Sequence, residues 1–331
     1  MKYSGIKFAA LFLCFLTQIY AQSGWFKSNS EKDGALKDLM DIKFIDEKTG
    51  FAVGGWGLVL QTTNAGSYWF SMTIGDMNTH QNISYADKNT IFIGSMDYVN
   101  MGSVIFRSKN GGLKWDSVFS VFKCPSGKVF FPSKSIGYFL VTGYYGSRLF
   151  KTINGGDLWD SAYTFTNYPL LLSIHFTNNE TGYLLGDSYI FKTTDGAASW
   201  MEILPAEYKS LLCESIHFVN ENTGFITTNN NNFQKCVILK TTNAGNNWKM
   251  IEINQTSWIR AIRFENENTG FGVGNTKGKG IIAKTKDGGE SWVVTSTDLC
   301  KYIYSVDFVN DKTGFAACDE GIILKTTTGG E

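Results

Sequence analysis

The chain has few of the residues that stabilise small disulfide-rich folds or that form catalytic and metal-binding sites. Its 331 residues include six cysteines, four prolines and three histidines, and only four of its thirty basic residues are arginines. One cysteine lies in the apolar N-terminal segment, and the odd number beyond it leaves at least one thiol unpaired. Disulfides are therefore not the framework of the fold. Cys300 and Cys318, on either side of two predicted strands, form the one pair that we consider.

The chain also lacks a charge excess. Acidic and basic residues balance at 30 each, so no electrostatic argument favours nucleic acid or an anionic membrane as a partner. Partners must instead be recognised by the shape and chemistry of a surface.

No apolar run is long enough to cross a membrane. The longest, residues 8–16, follows two lysines and precedes a polar stretch, which is the layout of a signal peptide. We predict a signal peptide over residues 1–21, a mature start at Gln22, and export to the periplasm, the cell surface or the exterior. Lipid attachment at Cys14 is the less favoured alternative, because Leu13 stands where a small residue is needed.

Repetition dominates the rest of the chain. A unit of about 44 residues recurs seven times, and six copies contain a Gly-rich turn that closes on Trp. The six turns read TTNAGSYW (62–69), SKNGGLKW (108–115), TINGGDLW (152–159), TTDGAASW (193–200), TTNAGNNW (241–248) and TKDGGESW (285–292). A seventh copy begins at Thr326 and stops before its Trp.

Each unit also carries short apolar alternations bounded by Gly, Asn and Asp, without a helical period, which predicts antiparallel strands. The first strand ends on an aromatic residue, and in six units a glycine follows six residues later, as Gly50 follows Phe44. We assign this glycine to the turn between the first two strands. The second unit has Ile91 there, so its turn is expected to differ.

Four strands per unit and seven units predict an all-β fold, a seven-bladed β-propeller of four-stranded antiparallel blades that fills residues 22–331 as one domain. An open solenoid of stacked repeats is the alternative. Residues 23–27 read like the Trp-led strand that the seventh unit lacks, so we expect this N-terminal strand to close the last blade. The other explanation is that the sequence ends early.

The turns follow the pattern Ser/Thr-x-Asp/Asn-x-Gly-x-x-Trp and resemble the Asp-box of bacterial neuraminidase repeats. With the Thr-Gly-Phe and Leu-Lys-Thr segments, the units are most similar to the repeats of photosystem II stability and assembly factors, over essentially the whole mature chain. The resemblance implies a non-catalytic scaffold that binds another protein and holds no cofactor. Because Asp-boxes also occur in sialidases and other glycosidases, a carbohydrate-binding module or a remote glycosidase is the alternative.

The polar position of each turn is predicted to be structural. A short polar side chain there can bond the backbone two residues on, and the following glycines accept a positive φ. Most copies use Asn, which cannot act as a proton acceptor in catalysis. Ala197 replaces a glycine in the fourth unit, where we expect a disturbed turn. The six positions are Asn64, Asn110, Asn154, Asp195, Asn243 and Asp287.

Two rings of side chains follow from the propeller prediction. The residue between the apolar positions of each first strand should line the central channel, either as a polar ring for a ligand or as solvated lining: Lys43, Ser84, Phe130, His175, His217, Arg263 and Asp307. Two histidines are too few to propose a metal site. The residue before each turn should be an exposed charge paired with acidic residues of the neighbouring first turns: Arg107, Lys151, Lys192, Lys240, Lys284 and Lys325, with Gln61 in the first unit.

The arginines do not support a sialidase. Such an enzyme needs a cluster of arginines around a substrate carboxylate, but the four arginines of this chain are spread over three units. A pair of glycosidase carboxylates cannot be recognised without coordinates.

The opposite end of the propeller is built from loops in which the units stop resembling one another. These loops carry aromatic residues that either anchor a partner or cap the core between blades. We take them as the candidate face for a protein partner, or for a glycan: Trp56, Tyr98, Tyr144, Tyr145, Tyr168, Tyr208, Trp258 and Tyr302.

Overall fold

The structure is a computed structural model that describes residues 24–28, 37–75, 77–165, 170–230, 236–253 and 257–331. Within these residues it contains 28 β-strands in seven four-stranded antiparallel sheets, together with two short 3-10 turns at Ala206–Tyr208 and Asp319–Gly321. The predicted signal peptide lies outside the described residues.

The first three blades follow the N-terminal strand β1 (Trp25–Lys27). The first consists of β2 (Leu39–Phe44), β3 (Gly50–Gly54), β4 (Leu58–Thr62) and β5 (Phe70–Thr73). The second consists of β6 (Asn78–Tyr85), β7 (Ile91–Asp97), β8 (Gly102–Ser108) and β9 (Asp116–Val121). The third consists of β10 (Ser126–Phe130), β11 (Gly137–Gly143), β12 (Gly146–Thr152) and β13 (Asp160–Phe165).

The remaining blades repeat the same order. The fourth contains β14 (Leu171–Phe176), β15 (Gly182–Gly186), β16 (Tyr189–Thr193) and β17 (Met201–Glu202). The fifth contains β18 (Leu211–Phe218), β19 (Gly224–Asn230), β20 (Cys236–Thr241) and β21 (Lys249–Ile253). The sixth contains β22 (Trp258–Phe264), β23 (Gly270–Thr276), β24 (Lys279–Thr285) and β25 (Val293–Thr297), and the seventh begins with β26 (Ile303–Phe308), β27 (Gly314–Cys318) and β28 (Ile323–Thr326).

The N-terminal strand completes the seventh blade, which has the order β1-β28-β27-β26. Trp25 lies opposite Thr326 and Lys27 opposite Leu324 in an antiparallel pair. The inner strands of the first and last blades are neighbours, and the backbone N–H of Phe44 donates to Asp307 Oδ2 at 2.8 Å. The predicted closed propeller is confirmed, and the open solenoid is wrong.

Aromatic stacks hold neighbouring blades together. At six of the seven interfaces the aromatic residue at the end of an inner strand lies face to face with an aromatic residue on the second strand of the preceding blade, and the Trp of the outermost strand meets it edge-on. At one interface Phe131 stacks on Phe92 with centroids 4.1 Å apart, and Trp159 lies edge-on at 5.9 Å from Phe131. The other stacked pairs are Phe44–Phe315, Phe176–Tyr138, Phe218–Tyr183, Phe264–Phe225 and Phe308–Phe271.

The glycine six residues after each of these aromatics serves packing rather than the turn. A Cβ on Gly137 would lie 2.4 Å from the ring of Phe131, and the other five glycines are covered in the same way. The expectation of a different turn in the second blade is wrong, because Asp87 Oδ1 accepts hydrogen bonds from the N–H groups of Asn89 and Thr90, the same arrangement that Asp46 makes in the first blade.

The second blade accommodates a larger residue than glycine because its aromatic residue lies differently. The hydroxyl of Tyr85 donates to the carbonyl of Lys43 at 2.7 Å, and its ring is tilted and 6.4 Å from that of Phe51. Ile91 can therefore stand where other blades need glycine. The glycine marks a packing site and not a bend in the chain.

All five cysteines beyond the N-terminal segment are buried and unbonded. Cys300 and Cys318 nevertheless lie together, with their Sγ atoms 3.1 Å apart. The pair singled out from the sequence is thus close in space with both thiols free.

Candidate functional site

The Gly-rich turns form hydrogen-bonded loops at one end of the propeller. In the first, Thr62 Oγ1 accepts from the N–H of Gly66 at 3.0 Å, and Asn64 Oδ1 accepts from the N–H of Tyr68 at 2.9 Å. The polar side chain therefore reaches the backbone four residues on, not two as expected. The same bonds recur in the turns of Asn110, Asn154, Asp195, Asn243 and Asp287.

The two aspartates among these positions are tied up within their own turns. Asp195 accepts from the hydroxyl and N–H of Ser199, and Asp287 does the same with Ser291. These hydrogen bonds lower the pKa of each carboxyl to about 2, so both are ionised at neutral pH and hold no proton to donate. The geometry suits a structural clasp.

The fourth turn keeps the common shape despite its alanine. Ala197 lies at a φ of 75°, and its N–H donates to Thr193 Oγ1 at 3.1 Å, as the glycines do elsewhere. The expected disturbance is therefore wrong, because the hydrogen bonds impose the left-handed conformation on a residue that rarely adopts it.

The charged ring beside these turns binds backbone rather than first-turn carboxylates. Lys151 Nζ donates to the carbonyl of Gly196 in the next blade at 2.7 Å and lies over the ring of Tyr138. Lys192, Lys284 and Lys325 repeat this bond at 2.7 Å, and the amide of Gln61 replaces it at 3.0 Å. Arg107 and Lys240 instead pair with Asp157 and Glu290. The expected pairing with acids of the first turns is wrong, since this ring links each blade to the next.

The central channel contains a cavity of about 410 Å³. All seven residues predicted for the channel line it: Lys43, Ser84, Phe130, His175, His217, Arg263 and Asp307. Arg263 Nε lies 3.3 Å from Asp307 Oδ1, and the two imidazoles have centroids 5.5 Å apart. Burial and the nearby Arg263 lower the pKa of His175 to about 3 and that of His217 well below its usual value, so both rings are neutral near pH 7.

Sequence reasoning missed a second ring in the channel. In six inner strands the pairing register shifts by one residue, and the extra residue lines the cavity. The sequence carries a signal for this shift. Leu39 and Ile42 both face the core although they are three residues apart, whereas residues on one face of a regular strand are two residues apart. The extra residues are Met40, Gln81, Leu172, Glu214, Arg260 and Tyr304.

At this ring two aromatic residues hold one arginine. The guanidinium of Arg260 lies 4.6 Å from the ring centroid of Trp258 and 5.3 Å from that of Tyr304. Tyr304 in turn donates to Asp38 Oδ2 at 2.9 Å. Burial raises the pKa of the neighbouring Glu214, against the opposing effect of Arg260. Trp258 is half-buried, and its ring contacts Arg260 of its own blade.

The loop aromatics divide into two groups. Trp56, Tyr98, Tyr144 and Tyr145 lie between the second and third strands of the first three blades, with exposed fractions of 58%, 49%, 82% and 86%. We call these four residues the aromatic arc. Exposed apolar residues of neighbouring loops extend the same end of these blades: Met77, Val99, Met101, Phe122 and Leu170.

The remaining loop aromatics are packed. Tyr208 lies against the core, and its hydroxyl donates to the carbonyl of Trp248 at 3.3 Å. Tyr302 is half-buried beside Tyr304, with centroids 6.3 Å apart. Tyr168 lies outside the described residues. The candidate face thus contains exposed rings on three successive blades and packed ones on the later blades.

The arginines do not converge. Arg107 binds Asp157, Arg148 approaches Cys124 Sγ at 3.1 Å, and Arg260 and Arg263 line the channel.

Among the described residues no group of three or more His, Cys, Asp or Glu is placed to hold a metal ion. In the same part of the chain, no helix has the length and apolar character to traverse a bilayer.

The sequence matches the family model of the photosynthesis system II assembly factor YCF48 over residues 156–257 and 244–331, which together make up more than half of the chain. The chain belongs to the YCF48 family. Comparison with the sequences of curated proteins gave no match.

Solved YCF48 structures share the fold of this family member. The structure of YCF48 bound to D1 peptide is 16% identical, with a TM-score of 0.72 over 92% of this chain and 97% of that one. YCF48 from Cyanidioschyzon merolae is 17% identical, with a TM-score of 0.70 over 91% and 98%. The GH74 xyloglucanase from Xanthomonas campestris also matches, at 10% identity and a TM-score of 0.72, but this chain covers only 54% of it. At these identities the matches establish the fold alone.

Proposed function

We propose that this member of the YCF48 family is an exported, non-catalytic scaffold whose aromatic arc binds an extended segment of a partner protein. The single observation that carries the proposal is the exposure of Trp56, Tyr98, Tyr144 and Tyr145 on three successive blades. Large rings that lose little conformational freedom on binding are enriched among the residues that dominate protein interfaces.

The loops that present these rings are held in defined conformations. The loop of Tyr98 is closed by Asp97 Oδ1, which accepts from the N–H groups of Val99 and Asn100 at 3.0 and 3.1 Å. In the first blade, the N–H of Gly57 beside Trp56 donates to the carbonyl of Asn78 at 2.6 Å. Prearranged loops on a rigid scaffold reduce the entropy cost of binding.

The comparison structures support a polypeptide partner. One YCF48 protein has been solved with a D1 peptide bound, and this chain shares its family and its fold. We carry over the binding of a peptide segment and not the identity of that peptide. Sequential loops that face the same end of a propeller suit an extended chain, which can contact one blade after another.

Export forms part of the proposal and has its own test. The layout of residues 1–21 supports a signal peptide. If the chain is exported, mass spectrometry of the protein recovered outside the cytoplasm will give Gln22 as the N-terminal residue. A full-length chain that starts at Met1 in the cytoplasm would contradict export.

The binding test uses a phage-displayed library of random peptides against the full mature chain. Selected peptides are synthesised and their affinity is measured by fluorescence anisotropy. A triple variant Trp56→Ala, Tyr144→Ala, Tyr145→Ala should lose at least about tenfold in affinity, since single buried interface aromatics contribute about 2 kcal/mol or more. Its melting temperature should remain close to that of the wild type.

A matched control removes exposed apolar side chains from the other end of the propeller. Leu113, Ile153 and Leu158 are 83%, 70% and 68% exposed in the Gly-rich turns. Their triple alanine variant should bind the selected peptides as the wild type does. Equal losses in both variants, or no peptide enriched by the wild type, would contradict the proposed face.

A carbohydrate function is the second candidate, because exposed Trp and Tyr rings also stack on sugars and a GH74 xyloglucanase has the same fold. Xyloglucan oligosaccharides should neither bind the chain nor be cleaved by it if the scaffold proposal is right. Binding that the arc variant abolishes would favour a lectin, and release of reducing ends would favour a glycosidase.

A further inference from the structure

Two cationic side chains face the central channel and have N–H donors that no protein acceptor among the described residues uses. Lys43 lines the cavity, and within the described residues its ammonium group makes no hydrogen bond or ion pair with protein. Arg263 uses Nε toward Asp307, and 41% of its side chain is exposed to the channel. The terminal Nη groups of the guanidinium therefore remain available to a ligand.

The two carboxylates beside these cations already have partners. Asp307 accepts from the N–H of Phe44 at 2.8 Å. Asp41 accepts from the N–H of Ile83 at 3.0 Å and from the hydroxyl of Ser305 at 2.7 Å. Both acids link neighbouring inner strands, and Asp307 Oδ1 also faces Arg263 Nε at 3.3 Å, so neither acid has an oxygen left to pair with Lys43.

A third cation lies in the channel wall with a weak partner. Lys128 lines the same cavity, and its Nζ lies 3.4 Å from the carbonyl of Gln81, at the limit of a hydrogen bond. Burial lowers its pKa, as expected for an ammonium group without a carboxylate in contact. With Arg260 and Glu214 of the second ring included, four cations (Lys43, Lys128, Arg260 and Arg263) and three carboxylates (Asp41, Asp307 and Glu214) line the cavity, which leaves an excess of one positive charge.

The two histidines add neutral rings at the same level. Their rings are neutral near pH 7, and a neutral imidazole offers one N–H. Because the backbone of Phe264 is a hydrogen-bond partner of His217, His175 is the ring that can donate to a ligand. Burial is the main cause of the lowered pKa of His175 and of His217, and the charges of Arg263 and Lys43 lower both further, which places the cations and the imidazoles around one space.

We propose that the central channel is an oxyanion site, in which Lys43 and Arg263 bind a phosphate or carboxylate group and His175 and His217 stand beside it. The cavity of about 410 Å³ is within the size range of small-molecule sites. The site is separate from the aromatic arc and does not depend on the proposed partner. Its ligand is either a free anion or the C-terminal carboxylate of a polypeptide that enters the channel, because both present the same oxygens.

The experiment follows the three histidines of the full mature chain by NMR after selective labelling. His175 and His217 face the channel, whereas His80 is buried between blades with Nδ1 2.7 Å from Ser95 Oγ. The chain therefore carries an internal control. The charged groups that face the channel pair are Lys43, Lys128, Arg263, Asp41 and Asp307, with Glu214 and Arg260 in the second ring.

Two probes distinguish the sources of the anion. The first is inorganic phosphate, titrated against chloride at constant ionic strength. The second is trialanine with a free C-terminus, compared with trialanine amide. At pH 7 a bound oxyanion should shift the ring resonances of His175 and His217, because a negative charge comes to lie beside both rings, and should leave those of His80 unchanged. A response to trialanine but not to its amide identifies a terminal carboxylate, and a response to phosphate identifies a free anion.

Lys43→Gln should lower the affinity for the anion, measured from the histidine resonances, at least about tenfold, since a charge-assisted hydrogen bond to the anion is lost. Lys48→Gln, at an exposed turn of the same blade, should leave it intact. The proposal is overturned if neither probe moves the channel histidines, if all three histidines move together, or if Lys43→Gln responds as the wild type does. The wild-type titration alone decides the first two outcomes, even if a variant fails to fold.

Discussion

Phe44 of the first blade stacks on Phe315 of the last blade, with ring centroids 4.2 Å apart and planes inclined by 19°. This contact has the geometry of the stacks between consecutive blades, although it joins the two ends of the repeat array. The ring therefore closes through the same side-chain packing that builds each interface, and the N-terminal strand supplies the edge that would otherwise be missing.

Closure by the N-terminal strand predicts a strong effect at one tryptophan. Trp25 is 5% exposed and meets Phe308 edge-on at 5.9 Å. We expect Trp25→Ala to lower the free energy of unfolding by about 3 to 5 kcal/mol, because the lost ring leaves a cavity in the last interface. Denaturant unfolding measures the change.

The exposed Trp56 provides the control for this substitution. Trp56→Ala should change the free energy of unfolding by no more than about 0.5 kcal/mol. Deletion of residues 22–30 should destabilise the chain at least as much as Trp25→Ala. An unchanged transition in the deletion variant would show that the strand does not hold the ring.

Tight packing at the Gly-rich turns predicts that glycines at two neighbouring positions of the turn pattern respond differently to substitution. Gly156 lies at a φ of 82°, and a Cβ there would lie 2.6 Å from Phe92. Gly156→Ala should therefore cost about 2 to 4 kcal/mol, the sum of backbone strain and overpacking. Gly111 of the preceding blade has a φ of 68° and no atom within 4 Å of an added Cβ, so Gly111→Ala should cost only about 1 kcal/mol.

The corresponding turns in other blades of the chain already support this ranking. Ala65 and Ala244 occupy the position of Gly111 in other blades, each at a φ of 57°. Ala197 occupies the position of Gly156, beside Tyr138 rather than a phenylalanine. Thermal unfolding of both variants checks the ranking, and equal costs would mean that strain alone matters at these turns.

The blade pattern was predictable because it is repeated. The apolar positions of the first strands, the Trp-led fourth strands and the role of Trp25 all follow from comparing one unit with the next, whereas the bulge in six first strands was missed. The channel residues were accessible for the same reason, since a fixed position in a repeated strand has a fixed direction. Local sequence determines these features, and the repeat confirms each of them several times.

Contacts between blades could not be predicted in the same way. Lys151 binds a backbone carbonyl of the next blade, and a carbonyl has no signature in the sequence. The sequence assigns Gly137 to a turn, because its partner, the ring of Phe131, is recognised only in the folded sheet. Exposure of the loop aromatics also depends on the neighbouring blade, which covers Tyr208 and leaves Tyr144 in solvent.

The proximity of Cys300 and Cys318 predicts a disulfide under oxidising conditions. Glutathione disulfide should oxidise the two thiols to a disulfide, and the two protons and two electrons that they lose convert it to two molecules of glutathione. Burial raises the pKa of the Cys318 thiol, so the reaction should be slow in the native state. Peptide mapping without reductant should show a cross-link between these two residues.

Such a cross-link closes a short loop, since the two residues are 18 positions apart. The oxidised chain should gain about 3 kcal/mol in unfolding free energy over the reduced chain. Cys318→Ala should abolish both the cross-link and the gain. Cross-links that involve Cys124, Cys213 or Cys236 instead would show that the pair is not the preferred site.

The lowered pKa values of the three histidines predict that the folded chain loses stability in mild acid. Burial lowers the pKa of His80 to about 4 and that of His175 to about 3, and it lowers the pKa of His217 as well. In the unfolded chain each histidine titrates near pH 6.5, so below that pH the unfolded state binds more protons than the folded state. The free energy of unfolding should therefore fall as the pH drops from about 7 towards 4.

Each histidine contributes a slope of up to about 1.4 kcal/mol per pH unit in this window. Asp307 and Glu214 act in the opposite direction, because burial raises their pKa and the folded state holds their protons more tightly. His175→Gln should reduce the slope of stability against pH between 6 and 4 whatever its effect on stability at pH 7. Denaturant unfolding at several pH values measures both slopes, and identical slopes in the wild type and the variant would mean that His175 is already protonated in the folded channel.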